Sequence, residues 1–144
     1  MYKTILAPLD GSKRAEAILP HLEELARVNG SKVVFMQVVE SVLIAAGAEF
    51  AYQTKDEYEV LEKQAADYLA GLKGEFREKG IDASTVVALS PVVVAIISTA
   101  ERENADLIAI ASHGRTGLSR VFYGSVAAGV LHKIDRPLLI IRSV

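Results

Sequence analysis

The chain reads as an α/β fold carried on a mostly parallel sheet. Three observations predict it. Short apolar runs recur at 3–9, 32–39, 83–89, 106–111 and 137–142, helically spaced stretches lie between them, and glycines or polar clusters separate the two. The runs are continuously apolar more than cleanly alternating, as expected of strands covered by helices on both faces.

The elements follow in order. Lys3 to Leu9 is a short strand closed by the turn residues Asp10-Gly11-Ser12. Ala15, Ile18, Leu19, Leu22, Leu25 and Ala26 then recur at helical spacing, with Ser12 as N-cap and Gly30 past the end. Pro20 lies inside that pattern and removes one backbone bond, so a bend is expected there. Lys32 to Val39 is β-branched and reads as the second strand. Tyr58, Leu61, Ala65, Leu69, Leu72 and Phe76 form the stripe of a long helix that stops at Gly80, and Ala83 to Leu89 is the third strand. Val92, Val93, Ile96, Ile97 and Ala100 share one helical face. Their β-branching lowers helix propensity, but Pro91 at the start and the polar Glu101-Arg102-Glu103-Asn104 favour a helix. A fourth strand at 106–111, a loop, a helix-like stretch ending near Lys133 and a final strand at Pro137–Arg142 complete the chain. Residues 41–55 break the alternation. A short helix, a lid over a ligand and a contact surface for a partner chain all remain open there.

Composition narrows the function. A chain of 144 residues fits one domain, here 1–144, and folding at that size buries roughly 70% of the unfolded surface. There are no cysteines, which excludes disulfides and thiolate metal sites and suits a reducing compartment. The net charge of −2, with no lysine-rich block, argues against a nucleic-acid partner. The N-terminus enters a strand pattern directly, with neither a signal peptide's apolar region nor a membrane span, so a soluble cytoplasmic protein is expected.

Residues 111–126 carry the strongest functional signal. Ala-Ser-His-Gly-Arg-Thr-Gly follows an apolar strand, and Gly124-Ser125 opens the next helix. Glycines let backbone approach a ligand, helix-start N–H groups favour an anion, and Arg115 and Arg120 add cationic reach. Two readings stand: a phosphate-binding loop, and a solvated strand–helix connection whose glycines serve only the turn. In an open parallel sheet, ligands bind beyond the carboxyl ends of the strands where strand order reverses. With the first and fourth strands as neighbours there, this loop meets Pro8-Leu9-Asp10-Gly11-Ser12. Asp10 would then accept hydrogen bonds from ligand hydroxyls; a plain turn or capping role stands beside that reading.

Absent motifs matter too. No Gly-x-x-x-x-Gly-Lys-Ser/Thr occurs, and no Gly-x-Gly-x-x-Gly follows the first strand, which disfavours P-loop hydrolysis and ordinary dinucleotide chemistry. His113 has no Cys or carboxylate partner nearby in sequence, and a ligand-orienting or backbone-bonding role suits it better than catalysis. His21 and His132 read as surface or rim residues. No dedicated metal site is evident, although a bound triphosphate brings Mg²⁺.

Several segments together resemble the universal stress protein family over essentially the whole chain. They are Ile-Leu-Ala-Pro-Leu-Asp-Gly-Ser at the start, Asn104-Ala105-Asp106-Leu107-Ile108, Ser112-His113-Gly114-Arg115-Thr116-Gly117-Leu118, Gly124-Ser125-Val126-Ala127, and Arg136-Pro137-Leu138-Leu139-Ile140-Ile141. Nucleotide-binding members carry Gly, two residues, Gly, nine residues, Gly, then Ser or Thr. Gly114, Gly124 and Ser125 match, and Ala111 at the first position is a departure that bears on close backbone approach. The resemblance implies a Rossmann-like five-stranded parallel sheet in the order 3-2-1-4-5, a homodimer, and ATP as ligand. Carried over by position, Ala7, Pro8 and Asp10 would lie near adenine and ribose, and Val38 would contact adenine. Ile110, Ala111, His113, Gly114, Gly124, Ser125 and Val126 would surround ribose and phosphates, with Arg115 beside them. Three functions follow: a nucleotide-binding regulator of the stress response, a dimeric scaffold with a lapsed nucleotide site, and a slow ATP hydrolase or transferase. The third lacks an identifiable nucleophile or general base. In the implied order Pro137–Val144 is an apolar edge strand, which two copies would cover by antiparallel self-pairing. The alternative is a monomer whose own loop covers that edge.

Overall fold

The computed structural model describes residues 1–40, 48–89, 91–113, 126 and 128–143. Five strands, β1 (Thr4–Leu9), β2 (Lys32–Val39), β3 (Ala83–Leu89), β4 (Leu107–His113) and β5 (Leu138–Ser143), form one sheet in the order β3-β2-β1-β4-β5. Every pairing is parallel. The helices are α1 (Leu19–Asn29), α2 (Ala48–Glu78) and α3 (Val92–Arg102), and the backbone is helical again at 128–133. The α/β class, the parallel sheet and the strand order are as expected.

Alternate residues of each strand address opposite faces of the sheet. Ile5, Val33 and Phe35 point to the side of α1 and α2, where Leu22, Leu69 and Phe76 cover them. Leu6, Val34, Met36 and Ile108 point to the side of α3, under Ile96, Ala100 and Val130. Phe35 and Phe76 meet edge to face with centroids 4.9 Å apart, a geometry that adds to plain area burial. On the α3 side the helices approach closely: a Cβ on Gly129 would lie 2.7 Å from Val93 Cγ2.

Three helices stop at left-handed residues, Gly30, Gly80 and Asn104. In each case the following N–H reaches back to a carbonyl of the last turn: Ser31 to Ala26 (3.1 Å), Ile81 to Phe76 (2.9 Å) and Ala105 to Ala100 (2.9 Å). Beyond Asn104 the chain enters β4 through Asp106, whose carboxylate accepts the N–H of Lys3 (2.8 Å) and of Thr4 (3.0 Å) and so pins the start of the central strand. Arg136 donates to the carbonyls of Ala100 (3.0 Å) and Ala105 (2.8 Å), fixing the approach to β5.

The first helix departs from expectation. Ala15–Ile18 is a 3₁₀ turn, and α1 begins only at Leu19. Pro20 therefore falls in the first turn of α1, where its missing N–H has no intrahelical partner to lose, rather than bending a helix interior. Ser12 caps the 3₁₀ turn instead, its Oγ accepting the Ala15 N–H at 3.2 Å. The second difference is α2, which begins at Ala48, ten residues before the expected stripe; residues 41–47 of the ambiguous segment lie outside the described residues. No helix among the described residues is long and apolar enough to cross a membrane.

Candidate functional site

The sheet opens where its strand order reverses. β1 pairs with β2 along its whole length, Thr4 through Leu9, but with β4 only at Ile5↔Leu107 and Leu6↔Ile108. Proline explains the difference. The Lys3 carbonyl accepts Lys32 N–H on the β2 side (2.8 Å), and the Thr4 carbonyl accepts Asp106 N–H on the β4 side (2.9 Å). Alternation then turns Leu6 and Pro8 towards β4. The next rung of that ladder requires an N–H from residue 8, and proline has none. Pairing ends there, while β4 continues to His113 beside β5. A crevice between the carboxyl ends of β1 and β4 results, which is where open α/β sheets receive ligands.

Those of the expected site residues that the structure describes lie at this end of the sheet, on both faces. Val38, Ile110 and Val126 pack with the α3-side cluster, and Pro8 follows Leu6 on that face by alternation. Together they make an apolar floor. Ala7 is fully buried on the opposite side, so only its backbone is available to a ligand. The Ala111 methyl also points to that opposite side, packed against the α1-side cluster along with Leu139 and Ile141. His113 is the last residue of β4, in register with Ser143. Gly114, Arg115, Gly124 and Ser125 lie outside the described residues. Asp10 is exposed, and its Oδ1 accepts both the Ser12 N–H (2.9 Å) and the Ser12 hydroxyl (2.5 Å). The turn role is thus observed for one carboxylate oxygen, and Oδ2 makes no hydrogen bond among the described residues.

Sequence reasoning touched the cleft beside this crevice only through Val38, which also lines it. At the carboxyl end of β2 a cavity of about 400 Å³ is lined by Gly11, Gln37 and Glu40 on one side and by Leu61, Gln64 and Tyr68 of α2 on the other. Helix α2, at 31 residues, is about 46 Å long, whereas the eight residues of β2 span about 26 Å. The helix therefore overhangs the sheet. Ala65, Leu69, Leu72 and Phe76 are buried as the stripe predicts, but Leu61 remains 44% exposed in the cleft wall. Tyr68 donates to Glu16 Oε2 at 2.6 Å, tying α2 to the 3₁₀ turn. Burial first, then the bond to Glu16 and the negative charges of Glu16, Asp10 and Glu75, push the Tyr68 hydroxyl well above the usual tyrosine range. Gln37 Oε1 is buried without a hydrogen-bond partner. One signal in the sequence marked this cleft: Gln37 is the polar interruption of the run Val33-Val34-Phe35-Met36-Gln37-Val38-Val39.

Comparison with known proteins gives a consistent result. Residues 1–142 match the model of the Universal stress protein family. A universal stress protein of Methanocaldococcus jannaschii is 27% identical over 99% of this chain and 96% of its own length. The solved structure of that protein superimposes with a TM-score of 0.86 over the whole chain and 98% of the archaeal one, at 26% identity. Universal stress protein A homolog 1 of Coxiella burnetii is 32% identical over 91% of this chain and 90% of its own. Two more distant structures share the fold at a TM-score of 0.66. One is a universal stress protein in complex with cAMP (20% identical, 99% and 98% of the chains). The other, from Arabidopsis thaliana, has AMP bound (16% identical, 99% and 92%). Fold, motif positions and the match over nearly every residue lead to one conclusion: this chain belongs to the universal stress protein family.

Proposed function

We propose that the chain is an adenine-nucleotide-binding regulator of the stress response, with ATP as its full ligand and a homodimer as its working form. The opening that Pro8 leaves between β1 and β4 carries this reading, because it exposes an apolar floor and an acidic lip at one end of the sheet. Adenine would lie against Val38, with Pro8 and Ile110 beside it. Asp10 Oδ2 would accept from ribose hydroxyls. Gly114, Arg115, Gly124, Ser125 and the start of the helix at Val126 would hold the phosphates, with His113 orienting them. That two relatives of the same fold hold AMP or cAMP supports an adenylate.

The Ala111 departure weighs less than its motif position suggests. Its methyl is directed to the α1 side, away from the floor of Pro8, Val38 and Ile110, which favours a competent site over a lapsed one. Among the described residues no group of three or more acidic or histidine side chains could hold a metal, so Mg²⁺ would arrive on the triphosphate. In this reading Asp10 and His113 bind and orient the nucleotide rather than activate water, so turnover would be slow.

Among the described residues β5 pairs only with β4 and forms the sheet edge, with Ile140 38% exposed. Ile108 N–H donates to the Pro137 carbonyl, so odd-numbered residues of β5 address β4 and Leu138, Ile140 and Arg142 point their backbone outward. That free edge would pair antiparallel with its copy about a two-fold axis. Ile140→Pro removes an outward N–H while sparing the ladder to β4, and it should convert dimers to monomers by light scattering.

The test of nucleotide binding is calorimetric titration with ATP, together with chromatography of any small molecule released when the purified protein is denatured. Ser125→Ala should weaken ATP by about tenfold, the loss of one hydrogen bond to a charged group. No binding at millimolar ATP, and no adenine nucleotide released, would overturn the reading.

A further inference from the structure

We propose a second site, for a multiply charged phosphate chain, in the groove between the start of α1 and the end of β5. This groove of about 610 Å³ is lined by Lys13, Arg14, Ala17, His21, Ile141, Arg142 and Ser143. Three cations and a histidine reach it from three separate elements, and no carboxylate lines it among the described residues. On a chain of net charge −2, that is a local reversal of sign.

Two of these cations, Lys13 and Arg14, and the histidine are not there for internal pairing. The side chains of Lys13, Arg14 and His21 make no hydrogen bond or ion pair among the described residues, whereas Arg27, Lys79 and Arg136 all hold carboxylates. Glu16, the nearest acid in sequence, is drawn off to the opposite side by the Tyr68 hydroxyl at 2.6 Å. Ala17 presents only a methyl, which leaves the floor open, and the buried Ser143 bounds the far end.

Several like charges held apart in a concave surface match a ligand that carries several negative charges along its length. A single carboxylate would neutralise one of them. Guanidinium groups pair with phosphate oxygens through two parallel N–H donors, and Lys adds a point charge. The groove also borders the crevice. Lys13 lies three residues beyond Asp10, and Ser143 is in register with His113 at the end of β4. The chain of phosphates would be either a free polyphosphate or the tail of a nucleotide seated next door. Both present the same chemistry to Lys13 and Arg14.

The probe is inorganic tripolyphosphate, titrated calorimetrically and by amide chemical shifts at physiological ionic strength. Wild type should bind it, with the largest shifts at Arg14, His21 and Ser143. Lys13→Gln/Arg14→Gln, two exposed positions, should bind at least about tenfold more weakly, with an unchanged melting temperature. Saturating AMP separates the two sources: a free polyphosphate binds equally with AMP or ATP present, whereas a nucleotide tail is displaced by ATP and not by AMP. Absence of tripolyphosphate binding at millimolar ligand would overturn the site. So would equal affinity in the double variant. A failure of AMP to bind would count against the nucleotide reading alone, because tripolyphosphate binding does not require it.

Discussion

Pro8→Val tests how the crevice is made. Valine is at home in a strand and restores the N–H that the β1–β4 ladder lacks after Leu6↔Ile108. The new amide should bond to the Ala109 carbonyl and draw the two lips together. One net backbone hydrogen bond is worth about 0.5–1.5 kcal/mol. A ligand entering between the strands must first break it, so ATP affinity should fall by about twofold to about tenfold. Stability is a poor readout here. Proline restricts the unfolded chain, and removing it costs about 0.4–1 kcal/mol, which nearly offsets the new bond. The informative assay is hydrogen exchange at position 8, read beside calorimetry with ATP. The new amide should be protected as strongly as its neighbours in β1. An amide at position 8 that exchanges as fast as a loop amide would refute the account of why pairing stops.

Three further outcomes are expected. Gly129→Ala should destabilise the fold by about 1–3 kcal/mol in a denaturant melt, because the added Cβ meets Val93 Cγ2 at 2.7 Å; adding Val93→Ala should recover most of that loss. Asp106→Ala strips the acceptor from Lys3 and Thr4 N–H and should cost about 2–4 kcal/mol, measured the same way, with exchange accelerating first at the start of β1. Tyr68 has a raised folded pKa, so its contribution is complete below the unfolded value of about 10 and is lost as pH rises beyond it. Tyr68→Phe should therefore flatten the alkaline limb of a stability-versus-pH curve and leave its acid limb in place.

Much of this molecule is legible in its sequence. β2 falls where its β-branched run lies because its middle is buried on both faces, and the half-buried edge strand β3 follows its own run Ser84-Thr85-Val86-Val87. The end of α3 was readable from its polar tail, and Asn104 proved to be the left-handed residue that stops it. Other features were hidden for physical reasons. The start of α2 at Ala48 is not fixed by the stripe from Tyr58 to Phe76, and a short helix is one of three readings of residues 41–55. Ala15–Ile18 had a helical pattern, but Pro20 fits the first turn of a helix better than its interior, and the chain tightened ahead of it. The family resemblance places Pro8 beside the ligand. Its larger role, ending a ladder, depends on which neighbour residue 8 addresses, and that parity requires the strand register.

The central seam joins parts of the chain at very different separations. β1 meets β2 by bringing Ile5 to Val33, and meets β4 by bringing Ile5 to Leu107. The second loop is roughly fourfold longer and costs about 1 kcal/mol more to close. During folding, β1, α1 and β2 can assemble as a local unit, and the β1–β4 seam is expected to close after it. A molecule that bridges the two lips would then act on contacts formed late. Interactions absent from the folding transition state slow unfolding and leave the refolding rate nearly unchanged.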